Sequence, residues 1–267
     1  MQPAQATRGS IPFYDGIAAD WAGRYRKQTA GGHALRDRLE CALDLLGSGP
    51  GALIDVGCGP AVLEAEFCRA GFSVTGIDGS TAMIGEGHRN LPDDLDVRLA
   101  IADAQQLPFA DASFDTAVCL GVINSLRDPE RALDEMARTL RPGGRLVVSF
   151  ANRSSPYSIW RRRVFYPLVR LVQRIISLFS RRRFRPWRAK EHWTPSPSAV
   201  TALLAERGLV VDRVDYFGFI VLLSPLDEWF PWLAIPLARA VSRFRGGPLR
   251  RLGVGYLVAA RRGRESS

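Results

Sequence analysis

The chain has 267 residues, 46% of them hydrophobic and 24% charged, and a formal net charge of +9. That length supports one large domain or two small ones with a real core, and the ordinary counts of 25 Gly and 17 Pro exclude collagen-like and wholly disordered chains. Four Cys, at 41, 58, 68 and 119, make no CxxC pair and no metal-ligand spacing, and the three His include no HExxH, so reduced thiols in the cytosol and no metal are expected.

The opening MQPAQATRGSIPFYDG lacks the apolar stretch of a signal peptide. Arg, Pro or the pair Asp227–Glu228 breaks every apolar run well before the ~20 residues of a membrane span. Residues 12–46 read as an N-terminal helical cap. From 50 to 150 short strands alternate with helices: strands at 52–56, 73–77, 97–101, 115–120 and 145–150, and helices at 61–70, 81–89 and 129–140. Ser80 is placed to cap the second of these helices, and Pro142-Gly143-Gly144 closes the third. Strands separated by helices of this length predict an α/β, Rossmann-like, doubly wound sheet, mostly parallel.

After 150 the rhythm breaks. Residues 151–195 form a basic insertion, 198–207 a helix closed by Gly208, and 209–216 a strand. A second insertion at 218–250, rich in Pro, Trp and Leu, reads as irregular, and 254–260 as a last strand. The whole, 1–267, is expected to be one domain with a seven-stranded sheet, its last strand antiparallel, and two insertions.

In such a sheet a ligand sits at the carboxyl ends of the strands. The ends here carry Asp55-Val-Gly57-Cys58-Gly59, then Asp78, then Asp103-Ala104, then Leu120-Gly121-Val-Ile-Asn124. Glycines let the backbone approach a ligand, and a carboxylate after the second strand suits a ribose diol. A dehydrogenase would carry G-x-G-x-x-G, and the third glycine is missing from Gly57-Cys-Gly59-Pro-Ala-Val62. Asp55, inside the first strand, favours an ammonium or sulfonium ligand over a pyrophosphate.

Ile54-Asp-Val-Gly-Cys-Gly-Pro60, Gly76-Ile-Asp-Gly-Ser80, Ala102-Asp-Ala104 with Leu107-Pro-Phe109, Phe114-Asp115 and Leu140-Arg-Pro-Gly-Gly144 resemble the class I S-adenosylmethionine-dependent methyltransferases. Within them the small-molecule branch of the ubiquinone/menaquinone-biosynthesis type is the nearest likeness, over about 12–150 and more loosely over 192–216. The resemblance implies S-adenosylmethionine as cofactor. It implies that Gly57, Cys58 and Gly59 back its methionine and ribose part, with Asp55 organising that loop and the amino end. Asp78 would hold the ribose hydroxyls, Gly79 and Ser80 line the adenosine, and Asp103 bond the adenine amino group beside Ala104. Leu120 and Gly121 would lie near the methionine part, under a cap helix carrying Tyr14 and Trp21. Many members of the family have Glu-His where this chain has Asn124-Ser125, so no general base is implied there.

For handling the acceptor's proton the candidates are His192, Asn124 and Tyr14, with a packing role the alternative for His192 and a structural one for Asn124. His33 and His88 read as surface residues, and Cys58 and Cys68 as ordinary buried ones.

Residues 153–190 hold twelve basic side chains and no acid, leaving 24 basic against 27 acidic side chains elsewhere. From Pro167, a residue suited to a first helical position, the wheel puts Leu168, Leu171, Val172, Ile175, Ile176, Leu178 and Phe179 on one face and Arg170, Gln173, Arg174, Ser177 and Arg181 on the other. Two readings stand: a helix packed on the domain, or an interfacial helix over 161–185 on an anionic membrane. Trp229, Phe230, Trp232 and Leu233 offer a second aromatic surface.

The expected activity is methyl transfer to a lipophilic or lipid-linked small molecule, by a cytoplasmic enzyme peripheral on the inner face of the membrane. The rival substrate is nucleic acid, with the Arg run as a phosphate track. That reading lacks an Asn/Asp-Pro-Pro-Tyr after the fourth strand and a Pro-Cys nucleophile. A non-catalytic cofactor-binding protein is the third reading.

Overall fold

The computed structural model describes residues 11–179, 193–243 and 247–263. Three helices come first: α1 (Ile11–Asp15), α2 (Ala18–Arg26) and α3 (Ala30–Leu46). The alternating region follows as β1 (Gly51–Val56), α4 (Glu64–Arg69), β2 (Phe72–Asp78), α5 (Thr81–Asn90), β3 (Val97–Ile101), β4 (Phe114–Cys119), α6 (Pro129–Thr139) and β5 (Leu140–Ala151). Helices α7 (Pro156–Trp160) and α8 (Tyr166–Phe179) occupy the first insertion. Then come α9 (Pro197–Ala205), β6 (Leu209–Phe217), α10 (Leu226–Trp229), α11 (Pro231–Ser242) and β7 (Gly255–Arg262).

Among the described residues seven strands form one sheet in the order β3-β2-β1-β4-β5-β7-β6. The first five are parallel, and β7 runs antiparallel between β5 and β6. The doubly wound sheet expected from the alternation is therefore present, with its last strand reversed. Strand periodicity splits the core in two. Ile54, Ala117, Leu146 and Val148 pack with Leu133 and Met136 of α6 on one face, and Leu53, Val118 and Val147 pack with Cys41, Ala42, Leu45 and Leu46 of α3 on the other. Successive side chains alternate faces, so each strand feeds both layers.

The insertions depart from expectation. The basic helix begins earlier than Pro167, at Pro156, where the Ser155 hydroxyl accepts from Ser158 N at 3.1 Å. It passes through one π-helical turn, Arg161–Phe165, into α8. Pro167 thus sits just after a widened turn; a proline lacks the N–H and crowds the carbonyl four residues back, and a wide turn relieves both. The second insertion is largely helical rather than irregular, with Pro231 in the first turn of α11. The two insertions join through buried polar contacts. Tyr157 Oη donates to Asp227 Oδ2 at 2.5 Å and lies 2.9 Å from Ser224 Oγ, and Trp160 Nε1 donates to the Ser224 carbonyl at 2.9 Å.

The apolar face of α8 does not pack on the domain. Leu168 and Leu171 are each 55% exposed, and Val172, Ile175 and Ile176 nearly as much; Leu178 and Phe179 have no described side-chain burial. Trp229 and Trp232 of the second insertion are 67% and 71% exposed. No helix among the described residues is long and apolar enough to cross a membrane.

Candidate functional site

The carboxyl ends of β1, β2 and β4 and the loop after β3 surround a crevice of about 930 Å³ of open space, roofed by α1, α2 and α3. Asp55, Gly57, Cys58, Gly59, Asp78, Gly79, Ser80, Asp103, Ala104, Leu120 and Gly121 all line it. The eleven residues singled out as cofactor contacts thus meet in one place.

The backbone after β1 is built for close approach. Gly57 takes φ +86°, a left-handed conformation, and a methyl group on it would lie 2.3 Å from Val122 Cγ2. Its N–H and that of Cys58 both donate to the Ile77 carbonyl, at 2.7 and 2.9 Å, tying the turn to β2. Across the crevice Asp78 Oδ2 accepts from Gly59 N at 3.0 Å and its Oδ1 from Ser80 N at 2.8 Å. With a further backbone bond from Gly79, the carboxylate still keeps a lone pair for a ligand's hydroxyls. Burial raises the Asp78 pKa, against those backbone donors. Ser80 does cap α5: its Oγ accepts from Met83 N at 3.1 Å and donates to Asp15 Oδ1 at 2.5 Å. Asp103 Oδ1 accepts from the backbone and side-chain amides of Gln105, at 2.9 and 3.0 Å.

The roof is aromatic. Tyr14 and Trp21 meet edge to face at 5.8 Å, and Tyr14 Oη lies 3.3 Å from Ser125 Oγ at the crevice wall. Asn124 is tied to two distant parts of the chain. Its amide nitrogen donates to the Trp193 carbonyl, and its Oδ1 accepts from Ala151 N at 3.3 Å. His192 lies outside the described residues. His33, expected at the surface, is buried on the inner side of α3, and burial lowers its pKa. Cys58 is buried as expected, whereas Cys68 is half-buried.

Sequence reading missed two charged side chains in the site. Arg38 of α3 is buried and lines the crevice; its Nη2 donates to Tyr25 Oη at 2.8 Å, while its Nε has no acceptor. Gly121, at φ +81°, makes room for it, since a methyl there would lie 2.2 Å from Arg38 Nη1. Glu64 is fully buried behind the β1 loop. In the sequence Arg38 is one of several charges on a helix that also carries Arg36, Asp37 and Glu40, and the fold alone distinguishes it.

The sequence profile of a family described as a methyltransferase domain matches residues 54–148. A demethylmenaquinone methyltransferase from Beutenbergia cavernae is 32% identical over 183 residues, which is 64% of this chain and 72% of the relative. A second, from Renibacterium salmoninarum, is 36% identical over 108 residues, 40% of this chain and 44% of that one. Among solved structures, magnesium protoporphyrin IX methyltransferase from Synechocystis with bound S-adenosylhomocysteine superposes with a TM-score of 0.58 at 17% identity, covering 95% of this chain and 98% of that one. A methyltransferase dependent on S-adenosylmethionine from Thermotoga maritima gives 0.60 at 17% identity, covering 94% and 99%. At such identities these two likenesses speak for the fold.

Proposed function

The chain belongs to the class I S-adenosylmethionine-dependent methyltransferases of the quinone-biosynthesis type, and from that premise we propose that it methylates a lipophilic, quinone-like or lipid-linked small molecule at an anionic membrane surface. The observation that carries the membrane part is the apolar face of α8, left open to solvent on a segment that has twelve basic side chains and no acid. Burying such a face in the interface, with Arg at the headgroups, removes the cost of exposing it. The relatives' name supports a quinone-type acceptor.

The crevice fits the cofactor. A buried guanidinium Nε–H without an acceptor suits the amino acid's carboxylate, and the Asp55 side of the floor suits its ammonium. Asp78 would take the ribose hydroxyls and Asp103 the adenine amino group. When bound, S-adenosylmethionine supplies an already activated methyl electrophile. The chain's part is then to bind, align and keep out water. Tyr14 and Trp21 close the roof, and Val122 and Leu126 give the crevice apolar walls. Tyr14 and Ser125 bring two hydroxyls together at the wall, where they can orient a polar group of the acceptor.

Lipid extracts incubated with the protein and methyl-labelled cofactor, followed by mass spectrometry, test this reading. Label is expected in a lipid-soluble product. Label confined to RNA or to water-soluble products overturns it.

A further inference from the structure

Behind the loop that follows β1, two carboxylates are buried against each other. Asp55 is 2% exposed and Glu64, at the start of α4, is fully buried. Glu64 Oε2 accepts from Leu63 N at 3.0 Å. Its other oxygen, Oε1, has no donor, and neither does Asp55 Oδ1. The two side chains are in hydrogen-bonding contact. Were both ionised, each orphaned oxygen would be a buried acceptor without a donor beside a like charge. One proton between them satisfies both at once.

The surrounding groups leave this arrangement standing. Arg38, from α3, favours the ionised form of Asp55, and Asp78, from the end of β2, opposes it. The Cys58 and Cys119 thiols beside the pair are held neutral by burial. Desolvation outweighs Arg38, so the Asp55 pKa is pushed up to about 7 and that of Glu64 well above its ordinary value.

We propose that Glu64 is a positioning residue: it keeps its proton and donates it to Asp55, easing the ionisation of that buried carboxyl, so that cofactor binding in mildly acidic solution releases the proton Asp55 itself carries. This rests on the reading that the ammonium of the cofactor settles on the Asp55 side of the crevice. The balance is simple. Before binding, the pair holds two protons; as the ammonium arrives, one passes to the buffer and one stays between the carboxylates, leaving a single negative charge to face the ammonium. No other reactant is involved.

Calorimetry with S-adenosylhomocysteine in two buffers of different ionisation enthalpy tests this. At about pH 6 the ligand's own amine is already charged, since an α-amino group titrates near 7.7–8.0. The wild-type protein is expected to release close to one proton there. Its Kd is expected to be about fivefold weaker at about pH 6 than at about pH 7.5, as one proton per site with the pKa cited above requires once the uncharged part of the ligand's amine at the higher pH is allowed for. Glu64→Gln retains a donor toward Asp55 and an acceptor for Leu63 N, so its proton release and the pH dependence of its Kd should stay close to those of the wild type, whereas Glu64→Leu removes the donor and should carry proton release up to about pH 7.5. Binding by the wild type with no proton release and a flat Kd overturns the proposal, a result that does not require the variant to fold. Equal proton release at about pH 7.5 in wild type and Glu64→Leu overturns it too, because Asp55 would then titrate without any help from Glu64. A wild-type protein that binds no S-adenosylhomocysteine at either pH overturns the cofactor reading, and this proposal with it; that result is distinct from binding without protons.

Discussion

Helices α3 and α8 are both amphipathic, of 17 and 14 residues, and they end up in opposite circumstances. The apolar stripe of α3 is buried against β5, β6 and β7, and its charged residues are put to use: Asp37 accepts from Gly218 N at 2.7 Å, and Arg38 enters the crevice. The stripe of α8 is just as continuous and remains about half exposed. A 3.6-residue period says that a helix has an apolar face and is silent on what the face meets. The sheet needed a cover for one face and α3 supplied it. With both faces of the sheet covered, α8 is left with its stripe in solvent.

Truncation in each stripe probes the contrast most sharply. Leu45→Ala, in the packed helix, should cost about 3 kcal/mol in urea unfolding, whereas Leu171→Ala should cost no more than about 0.5 kcal/mol. Equal losses would mean that α8 packs in solution on something the fold does not show. The reverse contrast belongs to vesicles. Replacing Ile175 and Ile176 with Ser should weaken partitioning onto anionic liposomes by about 2 kcal/mol, with unfolding unchanged and the salt dependence retained.

In the crevice, Asp78→Ala should weaken binding of S-adenosylhomocysteine by about 2 kcal/mol, the worth of charge-assisted hydrogen bonds, and move the unfolding midpoint much less. An unchanged affinity would remove Asp78 from the site. Per residue, the charge in the turn before α8 counts for less. Arg162 and Arg163 are exposed, whereas Arg161 stacks over the rings of Tyr157 and Tyr166, at 5.4 and 4.9 Å. Arg162→Gln with Arg163→Gln should therefore lower partitioning by about 1 kcal/mol per residue and flatten its salt dependence, leaving cofactor affinity as it was.

The smallest effect lies far from both helices. Hydrogen bonds from Arg138 hold the Glu135 carboxyl below its ordinary pKa. A carboxylate lowered in the folded state contributes stability above its unfolded pKa and loses it as pH falls through the folded one. Glu135→Gln should cost under about 1 kcal/mol near neutrality, and the difference from wild type should vanish in acid. A difference that grows in acid would contradict the ion pair.

How far the site was legible follows from where its residues lie. Asp55, Gly57, Gly59, Asp78 and Asp103 sit within or just after a strand, where a short apolar run, a glycine and a carboxylate in succession mark both the element and its functional end. Arg38 and Glu64 carry no such marker. Each is a charged residue on a helix, the commonest kind of surface residue, and only the docking of α3 against β5, β6 and β7, and of α4 against β2, turns it inward. His33 misled for the same reason, since a lone histidine between Gly32 and Ala34 shows no sign of the side on which the helix will pack.

The sequence by itself determined the alternating order of strands and helices, the ends at which the crevice opens and the amphipathy of α8, because all of these rest on local periodicity, on glycine's access to positive φ and on the placement of carboxylates along the chain. Tertiary structure alone decided that two carboxylates share a buried pocket, that Arg38 reaches the crevice, that the second insertion is helical and tied to the first through Tyr157 and Asp227, and that one amphipathic helix is covered while the other is left bare. Those outcomes depend on pairs of residues distant along the chain, and on which surfaces remain once the two faces of the sheet are filled.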